Sequence, residues 1–263
     1  MKRFLFFSVV CLSYNLIVVA QGDIDDQTKI FYRDELSGAF LLNSNGWGLN
    51  FRYAKRIDAS KKFLYDFDFA LLKHPKEYKS SSQYAYGRTY VLGKQFIPFI
   101  FRGSYGMQTE IFRKFDAGGI SVRRFISAGP SLALLKPIYY DIQYDGYVKV
   151  QRYDPELFNT ATSYYDPIIG RASFFKGFNE LDVVPGAFLK LGVSFEYSRQ
   201  DKVLHAIEAG AFLEGFLKKL PIMATQENYQ VFLSLFVSYR FGKVVDPTAK
   251  KKNKAKKKED FFF

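Results

Sequence analysis

Between Gly46 and Arg56 the chain reads GWGLNFRYAKR, and its residues sort with a period of two. Trp47, Leu49, Phe51 and Tyr53 fall on one side, Gly48, Asn50, Arg52 and Ala54 on the other. That period belongs to extended backbone, whose successive side chains leave on opposite faces. The same alternation recurs along most of the chain. KFLYDFDFALL sets Phe63, Tyr65, Phe67, Phe69 and Leu71 against Asp66, Asp68 and Ala70. FIPFIFRGSYGMQ sets Ile97, Phe99, Phe101, Tyr105 and Met107 against Arg102, Ser104, Gly106 and Gln108. GAFLKLGVSFEYS sets its aliphatic and aromatic residues against Lys190, Gly192, Ser194 and Glu196. VLHAIEAGAFLEG does so more weakly, with Glu208, Gly210 and Glu214 on the polar side. YQVFLSLFVSYRFG sets Val231 through Phe241 against Ser234, Ser238 and Arg240. No window after residue 20 carries the apolar run of a membrane helix.

Adding ELSGAFLLN and GISVRRFISAGPSLALLK gives eight predicted strands, at 34–43, 46–57, 61–73, 94–112, 118–136, 184–199, 203–216 and 229–242. In the fifth, Arg124 breaks the apolar face, and Pro130 removes a ladder donor, which predicts a bulge or a rim position there. The connections sort by parity. IDAS, KFDAG and QDK are short and polar, whereas 74–93, 137–183 and 217–228 are long. Only the turn around SNG breaks the pattern. Alternation of short turns with long loops is how outer-membrane barrels are built, the turns lying on the periplasmic side. A two-sheet sandwich has no reason to sort its loops this way. The strands are also long for a soluble sheet and suit a tilted crossing. The expected fold is all-β, an eight-stranded antiparallel transmembrane up-and-down β-barrel with a long outer loop.

In such a barrel the aromatic faces meet lipid and the polar faces meet in the middle. Eight strands leave an interior that side chains alone can fill. Arg52, Asp66, Asp68, Arg102, Arg123, Glu196, Glu208 and Arg240 are therefore expected to form a structural charge network in the lumen. Glu35 and Lys190 share their register. In a sandwich these same residues would merely be a solvated outer face.

The ends add a location. MKRFLFFSVVCLSYNLIVVAQG has a basic start, an apolar stretch broken by Ser8, Ser13, Tyr14 and Asn15, and Val18-Val19-Ala20 before Gln21. That is the layout of a secretory signal peptide over 1–20, cleaved after Ala20, and a poor membrane span. The single cysteine, Cys11, lies inside it, so disulfides and thiolate metal sites are excluded from the exported chain. The barrel is expected over 21–242. In the tail, 243–263, eight lysines against Asp246, Glu259 and Asp260 give net +5. Such a composition reads as a disordered periplasmic segment. It either contacts an anionic periplasmic surface or is simply solvated. Export makes nucleic acid an improbable partner, and none is expected.

The loop 137–183 is too long for a passive connection. YDGY reads as a turn between strand-like runs, and GRASFFKGF places phenylalanines beside glycines. It is either a platform for another envelope protein or a glycan, or a cap over the barrel mouth. Catalysis finds little support. His74 starts an outer loop and His205 lies on the lipid-side register near the other end, so they cannot share a site. No Ser–His–acid set or metal-ligand spacing assembles, and Asp66 with Asp68 beside Arg52 reads as an ion network. No cofactor is expected.

The segments FRGSYGMQ, GGISVRRFISAGPSLALLKPIYY, GRASFFKGFNEL, VVPGAFLKLGVSFEY, IEAGAFLEGFLKKLPIMA and FLSLFVSYRFGK resemble small outer-membrane β-barrel proteins of the Bacteroidota. The resemblance covers most of 85–243. It implies a barrel in the outer membrane of a Gram-negative envelope, in contact with its lipid, and carries no activity. The lysine-rich end departs from the usual finish, in which an aromatic strand residue is nearly terminal. The expected function is non-catalytic, as a structural or accessory subunit of an envelope complex. The alternatives are a narrow small-solute channel and, more remotely, a lipid-modifying barrel enzyme.

Overall fold

A computed structural model describes residues 33–75, 77–81, 89–114, 119–144, 146–152, 168–199, 202–224 and 228–245. The expected leader lies outside the described residues, as does the tail beyond Val245. Thirteen strands run in chain order: β1 Asp34–Asn43, β2 Gly46–Arg56, β3 Lys61–Leu72, β4 Lys79–Ser81, β5 Thr89–Val91, β6 Phe96–Phe112, β7 Ser121–Pro137, β8 Tyr139–Tyr144, β9 Tyr147–Arg152, β10 Ile168–Arg171, β11 Asp182–Glu196, β12 Val203–Phe216 and β13 Val231–Val245. The eight long ones close into a barrel in the order β1-β13-β12-β11-β7-β6-β3-β2. Every neighbouring pair is antiparallel, and the first strand closes on the last from Asp34–Val245 to Asn43–Phe236. Closure leaves no strand edge with unpaired backbone groups.

The short turns and both barrel termini share one end, the short-turn end. The long connections and the tight β1–β2 turn share the other, the loop end. The last strand runs to Val245, so Lys243 pairs with Leu36 and Val203 instead of beginning a tail. Pro130 is a second difference. It sits at neither a bulge nor a rim but in the middle of β7, paired in register with Ala187 of β11. On the β6 side the ladder lapses between Arg102–Ser131 and Tyr105–Ala128 and resumes without a shift. The missing donor is absorbed as a gap where the two strands run close together: a Cβ on Gly129 would lie 2.0 Å from the Gly103 carbonyl oxygen. The register shift in this pair lies instead between Glu110 and Phe112.

The barrel has its polarity reversed relative to a protein folded for water. Arg52, Asp66, Asp68, Arg102, Lys190, Glu208 and Arg240 are buried, while Leu36, Phe40, Leu49, Phe51, Phe67, Leu191, Leu213, Leu233 and Leu235 are exposed. Toward the short turns the outer face carries a band of exposed tyrosines: Tyr53, Tyr65, Tyr105, Tyr197 and Tyr239. Arg124, which interrupts the apolar face of β7, points outward at this same end.

The loops at the other end are structured. β8 and β9 form a hairpin around Gly146, with β10 added on the β8 side, and β4 pairs with β5. Ile138, Tyr140, Ile142 and Ile168 pack together with Tyr90 and Ile97. The Tyr140 hydroxyl lies 2.8 and 2.7 Å from the carbonyls of Val91 and Lys94, joining the second loop to the third. The chain after β12 turns back into the mouth. The Ile222 carbonyl accepts from the Gln95 amide at 2.9 Å, and the Ala224 amide donates to Gly93 at 2.7 Å. Leu220, Ile222 and Met223 are thereby packed among Leu72, Phe96, Ile100, Leu135, Phe216 and Phe232.

Candidate functional site

Among the described residues the lumen gathers most of the buried charge, and it is built in layers. At its centre Arg52 forks onto Asp66, Nε to Oδ1 at 2.6 Å and Nη2 to Oδ2 at 3.0 Å. Its third arm crosses the barrel to Glu208, Nη1 to Oε1 at 2.7 Å. Glu208 also receives Arg240, Nε to Oε1 at 2.8 Å and Nη2 to Oε2 at 3.0 Å. Arg240 donates onward to Ser37 at 3.0 Å and to the Asn50 carbonyl at 2.6 Å. The Asn50 amide donates to Asp68 at 3.0 Å, and Lys190 reaches Asp68 at 3.4 Å and Asp66 at 4.0 Å. One connected set therefore ties β1, β2, β3, β11, β12 and β13 together.

Nearer the loops, Arg102 meets Glu214 in a second fork, Nε to Oε1 at 2.8 Å and Nη2 to Oε2 at 2.7 Å. At the short-turn end Arg123 pairs with Glu196 and, at 3.3 Å, with Glu35, which also takes Lys62. Lys114 reaches Glu196 at 3.4 Å. Forked guanidinium–carboxylate contacts satisfy several donors and acceptors at once, which is what buried charge requires.

The structure thus brings Arg52, Asp66, Asp68, Glu208 and Arg240 into one network. It sets Arg102 in a layer on the loop side of that network, and Arg123 with Glu196 in a layer toward the short turns. Sequence reasoning, which placed Glu35 and Lys190 on the same inward register, left out three residues that matter to the network: Asn50, Lys62 and Glu214. Glu214 carried the right register. Asn50 is neutral, and Lys62 lies in a Lys-Lys pair at a strand start, where alternation has barely begun.

Aromatic rings fill the space that the charges leave. Phe125, Phe188, Phe212 and Phe236 point inward with Leu41, Ala54 and Leu64. The guanidinium of Arg52 lies 4.9 Å from the Phe125 ring centre and that of Arg102 4.9 Å from Phe212. The Lys190 ammonium lies 5.0 Å from Phe212 and 5.4 Å from Phe236. Each such contact favours the cation where water is scarce. The rings fit because glycines face them across the ladder. Gly192 opposes Phe125 and Gly210 opposes Phe236. A Cβ on Gly192 would come within 2.8 Å of the Phe125 ring, and one on Gly210 within 2.8 Å of the Phe236 ring.

The two histidines are far apart in role. His74, buried at the loop end, stacks on Tyr229, and its amide donates to Glu77 at 2.9 Å. His205 faces outward on β12, stacked between Tyr197 and Tyr239, with Nδ1 2.9 Å from the Tyr239 hydroxyl. Glu77 pairs with Lys94 at 2.5 Å in the loops. There burial pushes the Lys94 ammonium down from its ordinary value, and Glu77 opposes the shift. Among the described residues no group of three His, Cys, Asp or Glu side chains could hold a metal ion. What the described lumen does chemically is pair its own charges with one another.

No family model matches this chain, and no curated protein matches it. Among solved structures it is similar to Neisserial surface protein A, at 12% identity and a TM-score of 0.36, over 83% of this chain and 97% of that one. It is similar to the N-terminal β-barrel domain of Pseudomonas aeruginosa OprF, at 8% identity and a TM-score of 0.32, over 80% and 98%. It is also similar to the attachment invasion locus protein Ail of Yersinia pestis, at 8% identity and a TM-score of 0.34, over 81% and 95%. The closed ladder of this chain, rather than any of these likenesses, defines its fold.

Proposed function

We propose that this chain is an outer-membrane barrel that works without catalysis, as a structural or accessory subunit of an envelope complex. One observation carries the membrane half of this reading: the wall exposes its apolar residues and buries its charges. Soluble monomers rarely expose contiguous apolar patches beyond a few hundred Å², whereas here the whole circumference is apolar. A closed barrel ladder, with no open strand edge, is also one of the two ways a chain can cross hydrocarbon. The tyrosine band matches the aromatic girdle expected where acyl chains give way to water. By loop parity the short turns and both barrel termini face the periplasm. The export leader and the resemblance to Bacteroidota barrels favour a Gram-negative outer membrane.

The filled lumen supports the non-catalytic half and opposes a channel. An apolar plug, a layer of forked ion pairs with aromatic rings and a second charged layer lie in series across it. The loop 137–183 is the surface we assign to partner proteins, and the lysine tail to an anionic periplasmic surface. The membrane reading predicts that the protein fractionates with outer membranes, needs detergent, and migrates faster on a gel unheated than boiled. A chain soluble without detergent would refute it. Purification from native membranes should bring partners down with the full chain. Loss of partners on truncation after Val245, where the last barrel strand ends, would give the tail that role; unchanged partners would leave it to the loop. Lipid A from a deletion strain should keep its mass, and a changed mass would revive the enzyme.

A further inference from the structure

Resting on the membrane reading above, we propose that the segment Arg171–Glu180 is a lipid clamp: its phenylalanines enter the outer leaflet, and Arg171 and Lys176, with the buried Lys136 ammonium adding positive charge behind them, grip the phosphate of a membrane lipid headgroup. The segment does not rise away from the barrel. Phe174 and Phe178 pack against Phe99, an outward-facing residue of β6, at 6.4 and 6.3 Å between ring centres. Phe174 also touches Phe175 at 5.7 Å and Phe178 at 5.6 Å, making one cluster. Gly177 permits the close seat, with φ of 89° and the position of a Cβ only 3.0 Å from the Pro137 carbonyl. The segment therefore continues the apolar wall outward. Phe175, at its tip, is 80% exposed. A loop folded for water would turn that ring inward.

The cations lie at the same height. Lys136 occupies the outward register of β7, opposite Ile97, yet is only 1% exposed because the loop covers it. Its ammonium rests 5.0 Å from the Phe174 ring centre and 5.1 Å from that of Phe178. The Arg171 guanidinium lies 5.4 Å from Phe174, and the Lys176 ammonium 5.1 Å from Tyr139. None of the three is paired with a carboxylate among the described residues. The carboxylate within the segment, Glu180, accepts the Tyr139 hydroxyl at 2.7 Å and pairs with Arg152 at 3.7 Å. Asp182 falls on the register of β11 opposite to the lipid-facing Val183.

Exposed rings beside uncompensated cations, at the level where the wall ends, meet the chemistry of an interface. The rings favour acyl chains and the cations favour the phosphates above them. Charge complementarity selects an anionic headgroup over a neutral one, and the apolar cluster selects a lipid over a free anion.

The test uses the full chain in mixed detergent micelles with dioleoyl phosphatidic acid or dioleoyl glycerol, read by native mass spectrometry. Wild type should retain phosphatidic acid well above the glycerol. Arg171→Gln with Lys176→Gln should cut that retention about tenfold or more, since hydrogen bonds to charged groups are the strong ones. Phe175→Ser should weaken it as well. All three residues are exposed, so the heat-modifiable gel shift should survive in every variant. Equal retention of the two lipids, or no change in the double variant, overturns the clamp while the gel shift leaves the barrel standing. Loss of the gel shift in wild type overturns both.

Discussion

Glu208 holds two arginines, Arg52 and Arg240, from opposite directions, and has no exposure to water. Breaking a buried ion pair from one side leaves an uncompensated charge and costs about 3–5 kcal/mol. Glu208→Ala is therefore expected to lower the temperature at which the folded gel band converts to the unfolded one, or to prevent folding altogether. Replacing both members of the Arg102–Glu214 pair with methionine removes the charge and its desolvation together, and should change stability by no more than about 1–2 kcal/mol. If the two experiments gave equal losses, buried charge would not be the governing quantity. The glycines give a steric counterpart. Gly210→Val would push into the Leu191 carbonyl, 2.1 Å from the new Cβ, and into the Phe236 ring. Backbone cannot yield as a flexible side chain can, so overpacking of about 1–3 kcal/mol is a lower bound. A variant with unchanged urea midpoint would remove Gly210 from this role. At this scale the sequence was most legible where alternation is longest. That Arg52, Asp66 and Arg240 lie on the polar faces could be read directly, whereas Lys62 and Glu35 are 27 residues apart on strands that do not pair with each other, so no local pattern joins them.

The long strands could be read because each repeats its period about four or more times. The loops could not, since the plug is non-local: Leu220, Ile222 and Met223 are buried by Phe96, Leu135 and Phe232 from three different strands. The apolar run LPIM inside the expected long connection 217–228 was the available signal. This element has a testable weight. Replacing Leu220 and Ile222 with serine removes two fully buried side chains, at about 2–5 kcal/mol each by the usual cost of large-to-small changes. Stability should fall sharply, yet the planar-bilayer trace should stay flat. The Arg102–Glu214 fork and the Arg52–Glu208 bridge lie beneath the plug and still cross the lumen. Stepwise conductance in that variant would show that the plug alone closes the barrel, and conductance in wild type would restore the channel reading. The Pro130 gap belongs to this scale too. A missing donor predicts some local disturbance. Whether it becomes a bulge or a gap depends on the facing strand, which here keeps its register across the lapse.

For the whole molecule the decisive fact is which way each face points, and alternation alone leaves that open. Glu35, Arg52 and Arg240 would lie on the outside of a sandwich and lie on the inside here. Loop parity broke the tie, because outer-membrane barrels have one end built of turns and another of loops, and a sandwich has no reason to sort its connections so. On the proposed reading parity also predicts an orientation, which can be measured. The chain has one cysteine, Cys11, within the expected leader, so introduced cysteines report cleanly against the parent. Lys61 is exposed at the short-turn end and Lys219 at the loop end. With a membrane-impermeant maleimide on intact cells, Lys219→Cys should label at once. Lys61→Cys should label only after the outer membrane is opened. The parent gives the background, and the heat-modifiable shift verifies that each variant is folded. Labelling of Lys61→Cys alone in intact cells would turn the barrel over. It would carry the Arg171–Glu180 clamp to the periplasmic leaflet, where its phosphate would have to come from a different lipid.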